Sequence, residues 1–327
     1  MMNPTLGIDI AKATFDVALL QEGHYRTATF NNDPTGFAKL RRWLKKGGFS
    51  QLVVGMEATS RYGEALALFL HEQGHRVSLI NPARIKAYAD SQLRRNKTDK
   101  EDAKTIADFC RSQPLEWWTP PSAAQRELQA MVRHLEALQA ARTQERNRLE
   151  AGVPSAVVVQ TIQAHIAFLE SQIAELEACI SEHIDRHPDL KEKRELLTSI
   201  PGLGKLSAAK FLAEVPDVSR FDSAAQLAAF AGLTPRQRQS GSSVRGAAHL
   251  SKTGNKRLRT LFYMPALCAL RFNPLIQPLA QRLRERGKGR MTIVGAAMRK
   301  LLHLAYGVLK HKRPFDPHYL VNVQCTA

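Results

Sequence analysis

The sequence has few cysteines, no long apolar segment and no pattern typical of a secretory leader. The four cysteines lie far apart and none has the C-x-x-C spacing of zinc or redox sites. No run of about 18 apolar residues is free of charge, and the N-terminus lacks a basic segment followed by an apolar one. These absences argue against a disulfide-stapled secreted domain and a membrane span. They predict a cytoplasmic protein with inert thiols and no membrane partner.

Acidic residues are scarce in the second part of the chain. Residues 201–327 carry 21 Lys and Arg against 5 Asp and Glu, whereas residues 1–200 carry 26 against 25. The formal net charge of the whole chain is +17, so nearly all of the excess lies in one part. A basic region of this size predicts a polyanionic partner, of which nucleic acid is the simplest.

Two carboxylates lie in the first turn of a helix predicted to begin near residue 98. Thr98 is a favourable N-cap, and Glu101 three residues later completes the capping-box pattern. Asp99 and Asp102 are spaced i and i+3, so they project from one face. The pair could bind Mg²⁺ through hard oxygens, or it could be an acidic first turn stabilised by the helix dipole. This segment alone favours the second interpretation.

Two further carboxylates lie in predicted strands. Residues 5–20 form a hairpin whose first strand is apolar except for Asp9, and the apolar run at 51–57 ends in Glu57. With the helices and strands that follow, they predict a mixed sheet with helices on its faces. The alternatives are a strand-end cap for Asp9 and a helix-start residue for Glu57. Four carboxylates at one end of the sheet would bind two Mg²⁺, or Mn²⁺ in their place, about 4 Å apart for phosphoryl transfer.

The middle of the chain predicts a helical hairpin. The segment 117–121, Trp-Trp-Thr-Pro-Pro, marks a domain boundary, and its tryptophans are expected to anchor the linker on the first domain rather than to stack on bases. Two helical patterns follow, separated by residues 152–154, and the second has apolar residues at alternating steps of three and four. These residues are Val159, Ile162, Ile166, Leu169, Ile173, Leu176 and Ile180. The seam predicts a coiled coil, closed within one chain or between chains, with dimerisation favoured.

Two loops of the basic part are candidate nucleic-acid contacts. The turn at 200–205 precedes a helix and is either a helix–hairpin–helix motif that holds a phosphate or a tight connection between packed helices. The second loop, at 232–246, is rich in glycine and serine and is followed by a basic helix start at 251–259. The predicted contacts are Gly202, Gly204, Lys205, Arg236, Arg238, Arg245, Lys252, Asn255, Lys256 and Arg257.

Ser240 lies in the second loop among its arginines. The plain interpretation is a flexible basic loop that touches phosphates, and the sharper one makes Ser240 a nucleophile. No histidine adjoins Ser240, since His249 is several residues away, so the distant carboxylate–metal site would have to activate the hydroxyl. Composition alone favours the plain loop.

In their order along the chain, these segments resemble a known family. The motifs are Gly7-Ile8-Asp9-Ile10-Ala11-Lys12, Glu57-Ala58-Thr59, Lys97-Thr98-Asp99-Lys100-Glu101-Asp102-Ala103, Ile200-Pro201-Gly202-Leu203-Gly204, Ala231-Gly232-Leu233-Thr234-Pro235, Ser240-Gly241-Ser242-Ser243-Val244-Arg245-Gly246 and Ser251-Lys252-Thr253-Gly254-Asn255. The series resembles the insertion-sequence transposases with a DEDD carboxylate set and a separate serine, a group that includes the Piv DNA invertase. The resemblance runs nearly from end to end.

The resemblance implies an α/β plus α fold. Residues 1–117 would form a RuvC-like mixed-sheet domain of the RNase H-like class, with Asp9, Glu57, Asp99 and Asp102 as Mg²⁺ ligands. Residues 118–190 would form a coiled-coil hairpin for dimerisation. Residues 191–327 would form a mainly helical basic domain with the helix–hairpin–helix-like segment and Ser240 as the nucleophile.

The resemblance also implies partners. They are double-stranded donor and target DNA, a structured non-coding RNA (a bridge RNA) that pairs with both, and homodimers that pair into tetramers with shared active sites. A phosphoserine intermediate would conserve the phosphodiester energy, so that strands could be rejoined without ATP. Two alternatives stay open: a junction resolvase or nuclease that uses water, with Ser240 only structural, and a non-catalytic nucleic-acid-binding protein that needs no carboxylates.

Overall fold

The chain forms two compact units, Met1–Pro120 and Pro121–Ala327. A computed structural model describes residues 4–57, 61–93, 98–236, 239–240, 244–245 and 249–318. No helix within these residues is both long and apolar enough to span a bilayer. Because each unit has its own hydrophobic core, each is described separately.

The first unit is built on a five-stranded sheet. The strands are β1 (Thr5–Ile10), β2 (Thr14–Gln21), β3 (His24–Asn31), β4 (Val53–Glu57) and β5 (Arg76–Ile80). Their order is β3-β2-β1-β4-β5, with β1–β2 and β2–β3 antiparallel and β1–β4 and β4–β5 parallel. The predicted mixed sheet is confirmed. Strands β1 and β4 lie inside the sheet, which explains their nearly continuous apolar sequence.

Four helices accompany the sheet: α1 (Pro34–Lys46), α2 (Glu64–Glu72), α3 (Pro82–Ser91) and α4 (Asp99–Ser112). Local sequence fixes where several of them begin. Asp33 accepts a hydrogen bond from the Gly36 amide at the start of α1, and Asn81 accepts one from the Ala83 amide at the start of α3. Both helices then have proline in the first turn, where its missing N–H has no intrahelical role.

The linker after the first unit is held by its tryptophans, as predicted. The Trp118 amide donates to the Val77 carbonyl at 2.8 Å, and its side chain packs on the first core. The Arg76 guanidinium carbon lies 3.8 Å from the centroid of the Trp117 ring, a cation–π contact. These contacts extend the first unit slightly past residue 117, to Pro120.

The second unit begins with a hairpin of two long helices, α5 (Ala123–Glu150) and α6 (Ala156–Arg186). All seven residues of the predicted seam are buried or half-buried along α6. The two helices pack directly on each other, so the seam is closed within the chain. Pairing of the hairpin with a second copy stays a prediction.

The rest of the second unit is mainly helical. Its helices are α7 (Pro188–Thr198), α8 (Lys205–Glu214), α9 (Ala224–Phe230), α10 (Lys256–Leu261), α11 (Tyr263–Phe272), α12 (Gln277–Glu285) and α13 (Arg290–His311). The base of the hairpin shares one hydrophobic core with them, because Leu128 and Ile184 lie in the same cluster as Phe211 and Phe262. One hydrophobic core thus includes residues on both sides of residue 190, and the domain boundary predicted there stays a prediction.

Candidate functional site

Two glycines in the sheet leave the space in which α4 packs. Gly7 in β1 and Gly55 in β4 are register partners. A Cβ on Gly7 would lie 2.1 Å from the Ala103 carbonyl oxygen, and one on Gly55 would lie 2.1 Å from the Cys110 Sγ. Both distances are far below van der Waals contact, so only glycine allows α4 to lie this close to the sheet.

The glycines also show which face of each strand is turned towards α4. Side chains alternate between the two faces of a sheet, so residues two apart share a face. Thr5, whose hydroxyl donates to the Ala107 carbonyl at 3.2 Å, Gly7 and then Asp9 lie on the α4 face of β1. Glu57 follows Gly55 in the same way on β4. Asp9 and Glu57 come one residue after the last paired position, Ile8 with Met56, at the carboxyl ends of parallel neighbours.

The direction of α4 brings its first turn to the same place. Ala107 lies beside Thr5, and Ala103 and Ala107 lie beside Gly7, so α4 runs against β1. One helical turn rises about 5.4 Å, close to the advance of about 6.6 Å over two strand residues. The turn before Ala103 therefore reaches Asp9, and that turn contains Asp99 and Asp102.

The start of α4 is capped as the sequence predicts, although only half of the capping box forms. Thr98 accepts a hydrogen bond from the Glu101 amide at 3.3 Å. The Glu101 carboxylate does not return a bond to residue 98; it pairs with the Lys104 ammonium at 2.7 Å. An ammonium is a stronger partner than a neutral amide, so the full capping box is wrong here.

The pKa of Asp9 indicates that the other three carboxylates lie near it. Burial, followed by the carboxylates of Asp102, Asp99 and Glu57, raises the pKa of Asp9 to about 6 from an ordinary 3.8. Within the described ranges, no three acidic, histidine or cysteine side chains come close enough to hold an ion as they stand. The donors are nevertheless all carboxylate oxygens, the ligands that Mg²⁺ and Mn²⁺ prefer, and a cation would relieve their repulsion. The residues therefore fit a hard divalent cation.

The predicted phosphate turn connects α7 and α8. A Cβ on Gly202 would lie 2.8 Å from the Ala269 Cβ, and the side-chain amide of Asn273 donates to the Pro201 carbonyl at 3.0 Å, so the first half of the turn packs against α11. Gly204 has open space around it, Lys205 is exposed, and α8 begins without a side-chain cap. Packing thus accounts for Gly202, and phosphate contact by Gly204 and Lys205 stays a prediction.

Ser240 lies in a set of very short strands. These are β6 (Pro235–Arg236), β7 (Gln239–Ser240), β8 (Val244–Arg245) and β9 (His249–Leu250), paired β6 with β9 and β7 with β8. Arg236 is exposed. Arg238 lies outside the described residues, as do the side chains of Ser240 and Arg245, so their predicted roles stay predictions.

The backbone on both sides of the serine loop is held by a turn at Gly254 and by two arginine side chains. Gly254 has φ +130°, and a Cβ there would lie 2.2 Å from the Phe230 carbonyl oxygen, which accepts the Asn255 amide at 2.7 Å. Arg259 donates to the Ala231 carbonyl at 3.1 Å, and Arg299 donates to the Leu233 carbonyl at 3.4 Å. Thus the residues that flank the serine loop have fixed backbone partners.

Two of the predicted nucleic-acid contacts already have protein partners. The Asn255 side chain caps α10 by accepting from the Leu258 amide at 2.9 Å, and it donates to Glu214 at 2.7 Å. Arg257 forms an ion pair with Glu136 of α5. Lys252 and Lys256 are exposed. Asn255 and Arg257 therefore have a structural role. The two exposed lysines are better placed than these residues to contact a phosphate.

Sequence reasoning missed Gly7 and Gly55, which position the site without contributing a ligand. The signal was present as a glycine two residues before each strand carboxylate, in Gly7-Ile8-Asp9 and Gly55-Met56-Glu57. A glycine inside a buried strand often marks a close approach of another backbone. Which backbone approaches was not readable from the pattern.

Known proteins resemble this chain over most of its length. Residues 6–156 match a transposase family model of the DEDD IS110 type, and residues 194–281 match that of the transposase IS116/IS110/IS902 family. The pilin gene-inverting protein of Moraxella bovis is 35% identical over 319 residues, which cover 97% of this chain and 98% of the relative. The transposase for insertion sequence element IS1328 of Yersinia enterocolitica is 26% identical over 345 residues, covering 94% and 97%.

Solved structures give a weaker match. The Thermus thermophilus RuvC structure is matched with 14% identity and a TM-score of 0.27, over 35% of this chain and 99% of that chain. The assignment to the RNase H-like class therefore rests on the resemblance of the motifs and stays a prediction. Because the similarity to the pilin gene-inverting protein and the two family matches extend through both units, the chain belongs to the IS110/IS116/IS902 family of transposases.

Proposed function

We propose that this protein is a DNA recombinase that cleaves and rejoins double-stranded DNA at the carboxylate cluster of its first unit. The observation that carries the proposal is that Asp9 is half-buried near Asp102, Asp99 and Glu57, so that burial, followed by these three carboxylates, raises the pKa of Asp9 to about 6. Such repulsion is unfavourable for the fold alone and is useful in a site that binds cations. The pilin gene-inverting relative supports site-specific recombination as the outcome.

The four carboxylates would hold Mg²⁺ or Mn²⁺. When bound, such ions stabilise the charge on the attacking and leaving oxygens of a phosphodiester. The chain's own part is to keep the four side chains at one end of the sheet, through the close packing of α4 on Gly7 and Gly55. The basic second unit, with its large excess of Lys and Arg, would hold the donor and target DNA.

We further propose that Ser240 is the nucleophile. Its Oγ would lose its proton and form a bond to the phosphorus, the bond from the phosphorus to one DNA oxygen would break, and that oxygen would take up a proton. The reverse attack by a DNA hydroxyl would free the serine and rejoin the strand. Membership of a carboxylate-type family does not by itself call for a serine, because the same carboxylates could direct water. Hydrolysis with Ser240 only structural is therefore the competing function.

Ser240 and the carboxylates belong to different units, so one active site needs both. We propose that it is completed between subunits, in dimers that pair into tetramers, with the α5–α6 hairpin as the dimer contact. This arrangement would couple cleavage to assembly, because the site would be complete only in the assembled protein.

Replacing Asp9 tests the carboxylate site. We expect Asp9→Asn to lower recombination in cells roughly a hundredfold or more, because a ligand is lost, and to stabilise the protein in chelator. The folded-state pKa of about 6 exceeds 3.8, so Asp9 favours folding below pH 4 and loses that effect as pH rises through 6. The gain in melting temperature should therefore appear above pH 6 and fade near pH 4.

Asp90→Asn is the matched control, because it makes the same chemical change at an exposed position near the end of α3. It should leave recombination, melting temperature and the response to added Mg²⁺ unchanged. Wild-type recombination by Asp9→Asn, or a drop in its melting temperature at pH 8 in chelator, would contradict a catalytic carboxylate cluster.

A structured guide RNA is the remaining part of the proposal. It is supported by the resemblance of the motifs and by the basic second unit. Sequencing of RNA that co-purifies with the protein should give one discrete species that maps beside the gene. A random mixture of cellular RNA would contradict guidance while leaving the cleavage proposal intact.

A further inference from the structure

A row of cations at the junction of α12 and α13 has no role in the site described above. Basic residues occupy every second position from 282 to 290, and all five are exposed. They are Arg282, Arg284, Arg286, Lys288 and Arg290, called the basic ridge below. Across the described part of the chain, none of them has a carboxylate within ion-pair distance, and the one acid among them, Glu285, is hydrogen-bonded to Gln281. The ridge is therefore a concentrated and uncompensated positive surface.

The backbone that carries the ridge is fixed. Helix α12 ends in a Schellman motif, with the Gly287 amide bonded to the Arg284 carbonyl at 2.9 Å and the Lys288 amide to the Leu283 carbonyl at 3.0 Å. Gly287 has φ +67°, the left-handed conformation that this motif requires. Ile276, which precedes α12, and Ala280 within it are buried in the core. Ile293 and Val294 at the start of α13 are buried too. The cations thus project from a rigid corner.

The charges lie where the fold gains little from them. Arg282 and Arg284 suit the last turn of α12, since cations are favourable at helix C-termini. Lys288 and Arg290 lie at the start of α13, whose first turn contains no acidic residue and where cations are unfavourable. Repulsion among five like charges adds to this. Stability alone would favour Asp or Glu here, so the arrangement indicates an external anion.

Resting on the proposed function, in which the second unit holds DNA, we propose that the basic ridge binds the phosphate backbone of double-stranded DNA, independently of base sequence. Residues 277–290 contain no aromatic side chain, so the ridge offers no platform for stacking the unpaired bases through which single-stranded RNA is usually recognised. Five exposed guanidinium and ammonium groups within nine residues of a fixed helix–turn–helix corner suit a dense array of phosphates. The ridge lies outside both the serine loop and the α7–α8 turn.

The salt dependence of DNA binding tests the ridge. The variant Arg286→Gln, Lys288→Gln, Arg290→Gln removes three charges and keeps both glycines. Binding of the full-length protein to two duplexes of unrelated sequence would be measured in chelator over a range of salt, so that the result does not depend on cleavage. Each phosphate contact adds about 0.9 to the slope of log K against log salt, so the slope should become shallower by roughly two to three. Both duplexes should lose affinity equally.

The control removes three exposed cations of α1, in Arg41→Gln, Lys45→Gln, Lys46→Gln, and should leave the slope unchanged. The melting temperature of the ridge variant should equal or exceed that of the wild type, because repulsion is relieved. An unchanged slope, or the same change in the α1 control, would overturn the proposal. So would a loss of binding to double-stranded or single-stranded RNA with DNA binding intact, which would assign the ridge to RNA.

Discussion

Gly7→Ala should separate α4 from the sheet and disperse the carboxylate cluster. The new Cβ would meet backbone atoms, the Ala103 carbonyl oxygen at 2.1 Å and the Ala107 nitrogen at 2.4 Å, and backbone cannot rotate out of the way. We expect a loss of about 3 kcal/mol or more in the stability of the first unit, a large part of the roughly 5–15 kcal/mol of a typical domain. Hydrogen exchange of the α4 and β1 amides would measure it.

A comparison with Gly55 and Gly74 shows whether packing is the cause. Gly55→Ala would meet the Cys110 Sγ at 2.1 Å, a side-chain atom, so adding Cys110→Ala should restore much of the lost protection. Gly74→Ala meets no atom within 4 Å and has only the strain of its positive φ, about 1–2 kcal/mol. If Gly7→Ala behaved like Gly74→Ala, the close approach of α4 would not be what positions Asp99 and Asp102.

Ser240→Ala should abolish any covalent adduct between protein and DNA while leaving DNA binding unchanged. Loss of the Oγ removes the only atom that the proposed mechanism joins to phosphorus, and the change is small enough to leave the surrounding charge intact. We expect recombination in cells to fall to background. Reactions stopped by denaturation and separated on gels would show the adduct with the wild type alone, and mass spectrometry would place the phosphate on residue 240.

Neighbouring serines give the controls for this change. Ser242→Ala and Ser243→Ala each remove one hydroxyl from the same loop and should retain the adduct. DNA that is cut by Ser240→Ala with free ends would show that water is the nucleophile, and adduct formation lost only in a neighbour would move the nucleophile there. Either result leaves the carboxylate site to be judged by Asp9→Asn.

Much of the first unit could be predicted from sequence because its signals are local. The hairpin at 5–20 and the strand that ends in Glu57 follow from short apolar runs, and the structure has them as β1, β2 and β4. Thr98 caps α4 as expected. Asp9 and Glu57 were found because a carboxylate in an apolar strand is costly unless it has a partner or a ligand. Capping bonds, the helix dipole and side-chain alternation each act over a few residues. Their signals can therefore be read from a short stretch of one sequence.

Long-range partners could not be predicted in the same way. Nothing near Asn255 indicates that Glu214, 41 residues earlier, accepts a hydrogen bond from its side-chain amide. The shared core of the hairpin and the C-terminal helices joins Leu128 to Phe262. Such choices depend on which of many similar apolar faces and polar groups meet in space.

The sequence by itself determined the mixed sheet, the start of α4 at Thr98, the four acidic candidates, Ser240 as a candidate nucleophile and the basic second part. Each of these depends on residue type and short spacing. Only the tertiary structure decided that Gly7 and Gly55 admit α4, that Asp9 is half-buried near the other three carboxylates so that its pKa is raised, and that the five cations of the basic ridge are all exposed. The physical reason is that close packing and Coulomb repulsion depend on distances between residues far apart in the chain, and folding sets those distances.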